Sequence, residues 1–269
     1  MSAVIKAAAL QLELDAAVQS QLAKTDRLIA QAVASGATIV VLPERFAQWT
    51  RQSLAETLDV DSPCYLPAWL ATQARRHAIY LVGGSVLEPN SGSALHYNTC
   101  LVHGPDGGLL AKYRKVHLFD AMVDGVVHGE SASILPGTEP VWCETPAGTI
   151  GLSICYDLRF PELYRALADR HAQVLTIPAG FTRITGRAHW EVLVRARAIE
   201  NQCYVIAAGM SGYSAPTKDF YGHSMIVDPW GTVLAELSEG DGIALADIDL
   251  AMLEDVRSRL PALANRRMR

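Results

Sequence analysis

Short runs of apolar residues alternate along this chain with longer stretches in which apolar positions recur at helical spacing. Residues 37–42 form a run of strand length, and the segment before it, residues 16–35, has the period of an amphipathic helix that ends at Gly36. Further strand-like runs cover residues 79–87, 96–102, 109–113, 149–154, 173–177, 203–208, 223–227 and 243–248. The pattern predicts a sheet-rich fold with helices between the strands.

Two more helices are predicted in the second half of the chain. One begins at about Pro161, because proline suits the first turn of a helix and Glu162 suits the positive end of its dipole. The other covers residues 188–200, and residues 106–108 predict a hairpin turn. Strands that alternate with helices and hairpins imply an α/β fold whose sheets are buried beneath helices. Since no linker or repeat is visible, we expect a single domain over residues 1–269.

Composition and charge exclude several classes of protein. The chain has 269 residues, of which 50% are apolar and 19% are charged, so intrinsic disorder is excluded. The net charge of −5 argues against nonspecific nucleic-acid binding, which depends on an excess of Lys and Arg. Residues 265–269 are basic, but this tail is too short to form a nucleic-acid site. We expect no nucleic-acid partner.

The cellular setting is predicted from the chain start and the cysteines. Lys6 interrupts the first apolar run, and Glu13 and Asp15 follow it, which favours a first strand over a signal peptide. No apolar stretch approaches the roughly 18 residues of a membrane span. The cysteines show no zinc-finger spacing or CxxC pair. We expect a cytoplasmic protein without membrane attachment, in which four of the five cysteines are buried thiols; the five are Cys64, Cys100, Cys143, Cys155 and Cys203.

Three chemically useful side chains stand at the ends of predicted strands. Glu44 follows the strand 37–42, Lys115 follows the strand 109–113, and Cys155 lies between the strand 149–154 and the helix that begins near Pro161. The ends of strands are where α/β sheets bind ligands. Taken singly, each side chain also fits a structural role, as a helix cap, a surface charge or a buried thiol.

The chemistry of a thiol nucleophile connects these three residues. A free thiol has a pKa near 8.5, and an unperturbed glutamic acid lies about 4 units lower, so transfer of the thiol proton to it costs about 5.7 kcal/mol. A helix N-terminus and an ammonium group both favour the thiolate. A working pair of Glu44 and Cys155 therefore requires burial to raise the pKa of the glutamate and Lys115 to lower the pKa of the thiol.

Three segments, in order, resemble the signature segments of the nitrilase, or carbon–nitrogen hydrolase, superfamily. They are Leu42-Pro43-Glu44, residues 113–120 around Lys115, and residues 155–162 from Cys155 onward. The resemblance extends over essentially the whole chain. It implies a four-layer α-β-β-α sandwich, a homodimer or higher homo-oligomer, and catalysis without cofactor or metal.

The resemblance also implies a role for each residue of the site. Glu44 would be the general base for Cys155, then the general acid toward the departing ammonia, and then the base for the hydrolytic water. Lys115 and the backbone N–H of Tyr156 would hold the oxyanion. Glu130 matches, more weakly, a second glutamate that positions substrate in this family. A thioester on Cys155 would join the two half-reactions.

Residues 185–206 and 221–231 resemble the branch of the family that hydrolyses deaminated glutathione to α-ketoglutarate and cysteinylglycine. The omega-amidase branch, which releases ammonia from α-ketoglutaramate, is the alternative. Both substrates are amides that bear carboxylates, so a cation is expected near the thiol. Candidates for substrate binding are Arg159, Phe181, Thr182, Arg183, Arg187, His189 and Trp190, although Trp190 also fits a core position and each arginine also fits an ordinary ion pair.

Three other interpretations remain open from the sequence. A Cys–His hydrolase would use His117, His189 or His223 as the base. A nitrile hydrolase of the same superfamily would share the nucleophile. A non-catalytic scaffold would act through protein partners, and the presence of Glu44, Lys115 and Cys155 together weighs against it.

Overall fold

The computed structural model describes residues 4–15, 17–62, 65–146, 148–215 and 218–268. Cys64 lies outside the described residues, so its predicted burial stays a prediction. The α-helices in the described ranges are α1 (Val18–Ala34), α2 (Arg51–Leu58), α3 (Leu66–His77), α4 (Pro161–Ala168), α5 (Arg183–Asn201) and α6 (Leu250–Arg259). Two short 3-10 helices cover Glu130–Ala132 and Cys155–Arg159. None of the described helices combines the length and the apolarity that a membrane crossing requires.

Strands make up most of the remaining ordered chain. They are β1 (Ile5–Glu13), β2 (Ile39–Val41), β3 (Tyr80–Val82), β4 (Val86–Pro89), β5 (His96–His103), β6 (Leu109–Arg114), β7 (Asp120–Val123), β8 (Val126–Gly129), β9 (Ile134–Leu135), β10 (Trp142–Thr145), β11 (Gly148–Leu152), β12 (Val174–Ala179), β13 (Tyr204–Ala215), β14 (Lys218–Tyr221), β15 (Met225–Val227), β16 (Val233–Glu236) and β17 (Gly242–Ile248). β7 and β8 pair only with each other.

The strands form two halves that meet at β1. In one half, β1 lies between the parallel strand β2 and the antiparallel strand β17, and the order continues through β3 and β5 to β4. The other half has the order β10-β11-β12-β13, with β15 and β16 added beside β13. The two halves join where Leu12 and Glu13 of β1 pair with Met210 and Ser211 of β13.

Alternation along β1 shows how the layers are stacked. Ala7 and Ala9 belong to a buried cluster that includes both halves of the sheet together with α4 and α5. Ala8 and Leu10 point the other way, into a second buried cluster with α1 and α3. Successive side chains of a strand point to opposite faces, so β1 is covered on both sides. The layers are therefore α1 and α3, the first sheet, the second sheet, and α4 and α5, which confirms the predicted α-β-β-α sandwich.

Several predicted elements differ from the observed ones. The strand predicted over 79–87 is wrong as one element: Gly83 and Gly84 divide it into β3 and β4. The helix predicted from residue 188 begins earlier, at Arg183, because Thr182 caps it by accepting a hydrogen bond from the Thr185 backbone. The pattern also missed α2, α3, α6 and the β7–β8 hairpin. α2 and α6 carry weak periodicity, so tertiary packing decides them. In α3 the buried residues Leu66, Leu70 and Ala74 do recur at helical spacing, and this signal was overlooked.

Gly84 fixes the position of the turn that carries Glu44. Its φ is +63°, and a Cβ built there would lie 2.0 Å from the carbonyl oxygen of Pro43. The backbone of Arg45 also donates to the carbonyl oxygen of Ser85, at 3.1 Å. The chain after β2 therefore passes close over the β3–β4 junction, and only glycine permits this approach.

We expect Gly84→Ala to lower the free energy of unfolding by about 3 kcal/mol or more, because it adds a backbone clash to the strain of a positive φ. Gly92→Ala is the matched control, since Gly92 also has a positive φ, +91°, but nothing lies within 4 Å of the added Cβ. The control should cost only about 1 kcal/mol. Urea unfolding of both variants measures the difference, and equal losses would contradict the close approach.

Candidate active site

Glu44 is held on the turn after β2 by backbone and side-chain donors. Its Oε2 accepts a hydrogen bond from the backbone N–H of Gly180, which follows β12, at 3.0 Å. Its Oε1 accepts from the side-chain amide of Asn98 at 2.9 Å and from Lys115 Nζ at 2.9 Å. The carboxyl side chain is only 6% exposed. Both oxygens are thus oriented by groups from three different elements.

Lys115 is a buried ammonium between two carboxylates. It follows β6, where its backbone N–H donates to the carbonyl oxygen of Asn98 in β5 at 2.8 Å. Its Nζ lies 2.9 Å from Glu44 Oε1 and 2.8 Å from Glu130 Oε2. The Glu130 carboxylate is in turn held by Asn98, at 3.1 Å, and by the backbone N–H of Phe119, at 2.7 Å. Asn98 therefore connects the two glutamates.

Cys155 stands at the first position of a 3-10 turn, directly before α4. Its φ is +48°, a left-handed conformation that few residues other than glycine adopt. Asp157 stabilises this turn, because its buried carboxylate accepts from the backbone N–H of Ile154 at 2.9 Å and from Tyr113 Oη at 2.7 Å. Asp157 also accepts from the backbone N–H of His117 at 3.0 Å, which ties the Cys155 turn to the segment after Lys115.

Glu44, Lys115 and Cys155 line one cavity of about 280 Å³, together with Glu130. The three strand-end residues predicted from the sequence are therefore brought together, although they are far apart in the chain. The rest of the lining comes from the β7–β8 hairpin and from loops at the strand ends: Arg45, Trp49, Phe119, Val127, His128, Gly129, Ser133, Ile134, Gly180, Thr182 and Phe220.

The protonation states of Lys115 and Glu130 result from two opposing effects, burial and ion pairing. Burial alone lowers the pKa of Lys115, but the carboxylates of Glu44 and Glu130 outweigh it and raise that pKa above the ordinary lysine value. Burial likewise raises the pKa of Glu130, yet Lys115 and the hydrogen bonds to the carboxylate bring it below the ordinary glutamate value. Lys115 is therefore protonated and Glu130 ionised at neutral pH.

The Cys155 thiol does not have the lowered pKa that the sequence argument required. Burial raises the pKa of the thiol well above its ordinary value, and the nearby Glu44 carboxylate raises it further. Lys115 lowers it, as expected, but by less than the other two effects raise it. The resting site therefore holds a neutral thiol beside a carboxylate, and the thiolate requires removal of the proton by a base.

A second, narrow recess of about 10 Å³ adjoins the same thiol. Cys155, Tyr156, Arg159, Phe181 and Thr182 line it, and so does Thr185, which the sequence did not single out. The Arg159 guanidinium lies over the rings of Tyr156 and Phe181, 5.6 Å and 5.2 Å from their centres. Four of the predicted substrate-binding or supporting residues therefore lie beside Cys155 with Arg159 among them.

The remaining predicted substrate-binding residues lie away from both spaces. Arg183 forms ion pairs with Asp219 and Glu239. Arg187 is exposed, and so is His189, whose Nδ1 lies 3.2 Å from Arg159. Trp190 is 1% exposed, packs on Phe181, and donates from its indole N–H to the His223 carbonyl oxygen. Trp190 therefore occupies the core, and Arg183 is committed to other partners.

The three histidines of the Cys–His interpretation do not line the cavity. The His117 ring lies 2.8 Å from Asp157 and stacks on Phe160. The His223 ring lies 2.9 Å from Glu236 and stacks on Tyr221. His189 is on the surface. The base beside Cys155 in the described structure is the carboxylate of Glu44.

Sequence reasoning missed several residues of the site. Asn98 lies in a correctly predicted strand, where a carboxamide among apolar residues was the available signal. Arg45 follows Glu44 directly, and His128 reaches the cavity from β8. The donor at Gly180 is a backbone N–H, which leaves no trace in the sequence. Among the described residues, no group of three or more His, Cys, Asp or Glu side chains has a geometry that could hold a metal ion.

Comparisons with known proteins identify the family of this chain. The family model for carbon-nitrogen hydrolases matches residues 6–258. A deaminated glutathione amidase from Synechocystis sp. is 42% identical over 264 residues, which are 97% of this chain and 97% of that protein. The omega-amidase NIT2 of Mus musculus is 40% identical over 261 residues, which are 97% of this chain and 94% of that protein.

A solved structure gives the same result for the fold. Saccharomyces cerevisiae Nit3, a member of branch 10 of the nitrilase superfamily, superimposes with a TM-score of 0.87 at 33% identity, covering 98% of this chain and 97% of that one. The resemblance carried by the three sequence segments is thus confirmed over nearly the full length. The chain belongs to the carbon–nitrogen hydrolase family, within the nitrilase superfamily.

Proposed function

We propose that this enzyme is an amidase that hydrolyses deaminated glutathione to α-ketoglutarate and cysteinylglycine, through a thioester on Cys155. The observation that carries the proposal is the shared cavity of the Cys155 thiol, the Glu44 carboxylate and the Lys115 ammonium. The relative named deaminated glutathione amidase, at 42% identity, supports the choice of substrate.

The first half-reaction forms the thioester. Glu44 takes the thiol proton, and the sulfur attacks the amide carbonyl carbon to give a tetrahedral oxyanion. Lys115 has three N–H donors, two of which are directed to Glu44 and Glu130, so one is left for the oxyanion. The backbone N–H of Tyr156, in the first turn of the 3-10 helix, supplies a second donor. Glu44 then returns its proton to the departing amine as the carbon–nitrogen bond breaks.

The second half-reaction hydrolyses the thioester. Glu44 takes a proton from a water molecule, the hydroxide adds to the thioester carbonyl, and the same two donors hold the second oxyanion. Collapse of this intermediate breaks the carbon–sulfur bond and releases the acid, and the proton held by Glu44 returns to the sulfur. Glu130 acts as a positioning residue, because it holds Lys115 without facing the scissile bond. No step requires a cofactor or a metal.

Arg159 is the favoured partner for the α-keto acid carboxylate of the substrate. It lines the recess beside Cys155, and no carboxylate among the described residues forms an ion pair with it, whereas Arg183 already has two such partners. A planar guanidinium binds a carboxylate with two parallel hydrogen bonds. The recess admits about one water-sized group, so it would take an oxygen of that carboxylate, beside Tyr156, Phe181 and Thr182.

Omega-amidase activity is the second candidate, since the NIT2 relative is 40% identical. α-Ketoglutaramate carries the same acyl group as deaminated glutathione, and its leaving group is ammonia. The two substrates therefore differ only on the leaving side of the amide, where the larger cavity provides the discrimination.

We further propose that the protein forms a homodimer or higher homo-oligomer through an apolar surface of α5. Val192 and Ile199 are seven positions apart on one face of the helix, with 67% and 48% of their surfaces exposed. Ile199 packs against Gly231, beside Trp230, which is 60% exposed. Exposed apolar groups that are contiguous in this way mark protein interfaces.

Two further proposals concern the chain as a whole. One continuous family match and the ladder between β1 and β13 support a single domain. Buried free thiols at Cys100, Cys143 and Cys203 support a reducing, cytoplasmic location. Two separate transitions in thermal unfolding would contradict the first proposal, and recovery of the protein outside the cytoplasm would contradict the second.

We expect Glu44→Gln to reduce kcat by about 10²–10⁴-fold, the usual contribution of a general base. The same change should move the titration of the Cys155 thiol to lower pH, because Glu44 is one of the groups that raise its pKa while Lys115 lowers it. Thiolate absorbance at 240 nm, after subtraction of the Cys155→Ser spectrum, measures the shift. If the Cys155 thiol ionises more easily in this variant while the enzyme is inactive, the role of Glu44 is to transfer the thiol proton and not to stabilise the thiolate charge. An unchanged or higher titration midpoint would contradict the arrangement.

We expect kcat/KM for deaminated glutathione to exceed that for α-ketoglutaramate by tenfold or more, or about 1.4 kcal/mol of transition-state binding. Release of α-ketoglutarate measures both reactions, and small aliphatic and aromatic nitriles serve as the third set of substrates. An acyl adduct on Cys155, trapped by rapid quench and detected by mass spectrometry, identifies the nucleophile. A preference for α-ketoglutaramate would favour omega-amidase. No turnover and no adduct with any of these compounds would favour the scaffold.

We expect Val192→Glu to weaken self-association at least tenfold, since it places a charge in the α5 surface. Sedimentation equilibrium over a range of concentrations measures the effect. Leu109→Glu is the matched control, because Leu109 is 56% exposed on β6, away from α5. A wild type that sediments as a monomer at every concentration would rule out the interface.

A further inference from the structure

Arg45 is a cation at the cavity that the mechanism does not use. It follows Glu44 on the same turn, with a left-handed φ of +49°, and it lines the cavity that contains Cys155. Its guanidinium lies over the ring of Trp49, 4.7 Å from the centre. The residue is half-buried, so its charge faces the cavity rather than open solvent.

The donors of this arginine are largely unused. Its Nη2 donates to the Gln48 carbonyl oxygen at 2.7 Å, but its Nε is buried without a hydrogen-bond partner. The indole N–H of Trp49, which also lines the cavity, is a second buried donor without a partner. A buried donor that lacks an acceptor costs about 1–3 kcal/mol, so the hydrogen-bonding capacity of Arg45 is not satisfied by the protein alone.

Of the two Lys and Arg side chains that line the cavity, Arg45 is the one without an ion pair among the described residues. Lys115 is paired with both Glu44 and Glu130 at 2.9 Å and 2.8 Å. No carboxylate in the described part of the chain forms an ion pair with Arg45, although Glu44 and Glu130 lie near enough to oppose the lowering of its pKa by burial. An anion that enters this cavity therefore finds its partner at Arg45.

Two spaces meet at the nucleophile, and each contains one such arginine. The recess of about 10 Å³ holds Arg159, and the cavity of about 280 Å³ holds Arg45. Cys155, Gly180 and Thr182 line both. The recess has room for about one water-sized group, so the departing amine of an amide at Cys155, when it is as large as cysteinylglycine, fits only in the cavity that contains Arg45.

We propose that Arg45 binds a carboxylate on the leaving-group side of the amide, and so selects substrates whose departing amine carries an acid. This inference rests on the proposed function, in which the leaving group is cysteinylglycine and the anion is its terminal carboxylate. Arg45 is then the residue that separates deaminated glutathione from α-ketoglutaramate, whose leaving group is ammonia and carries no charge to bind.

The test compares deaminated glutathione with its C-terminal carboxamide, which differs only by loss of that carboxylate. In the wild type, kcat/KM should be at least tenfold higher for the acid. Arg45→Met should lower kcat/KM for the acid at least tenfold, leave the carboxamide and α-ketoglutaramate within about threefold, and bring the acid-to-carboxamide ratio near one. Arg45→Lys, which keeps the charge without the planar fork, should retain part of the ratio.

Two controls separate recognition from structural damage. Arg27→Met, at an exposed position of α1, should leave all three rates unchanged. Arg159→Met should slow all three substrates together, because they share the α-keto acid. Equal losses on all three substrates in Arg45→Met, or no preference for the acid in the wild type, would overturn the role of Arg45 while leaving the amidase proposal intact. Turnover of α-ketoglutaramate alone would overturn both proposals.

Discussion

The site depends on one buried ammonium group, that of Lys115, between the carboxylates of Glu44 and Glu130. An unpaired charge at this depth would cost several kcal/mol, and removal of one partner from a buried pair typically costs about 3–5 kcal/mol. The two carboxylates, the ammonium and the Asn98 amide therefore hold each other in place. In the proposed mechanism, the same arrangement orients Glu44 as the base and leaves one ammonium proton of Lys115 for the oxyanion.

This arrangement changes the way the thiol is activated. A cysteine beside a free cation ionises readily, but the cation here is already neutralised by two carboxylates, and burial keeps the thiol protonated. In the proposed mechanism, ionisation of the thiol is coupled to proton transfer to Glu44. A thiol held in this state resists nonspecific alkylation and oxidation, which follow thiolate character.

Around Cys155, the groups proposed to bind the substrate are different from those proposed to carry out the reaction. The catalytic groups are satisfied by one another, whereas the two arginines that approach the nucleophile, Arg45 and Arg159, have no ion-pair partner among the described residues. Under the proposed function, the carboxylates of the substrate would balance their charges. A substrate without those carboxylates would leave two half-buried cations uncompensated, which is a stronger basis for rejection than a difference in size.

The sequence by itself determined which segments are buried strands, and the resemblance of three of its segments to a known family supplied the four-layer fold and the three candidate residues. Apolar runs of strand length fix which segments are buried, and Glu44, Lys115 and Cys155 stand in segments whose local order is distinctive. It could not supply α2 or α6, since short helices of weak periodicity form only when packing stabilises them. Nor could it supply the Asn98 link or the Gly180 N–H, because each is a contact between distant parts of the chain. Tertiary structure also decided the pKa of the thiol: the charge of a side chain is written in the sequence, but its burial and its neighbours are not.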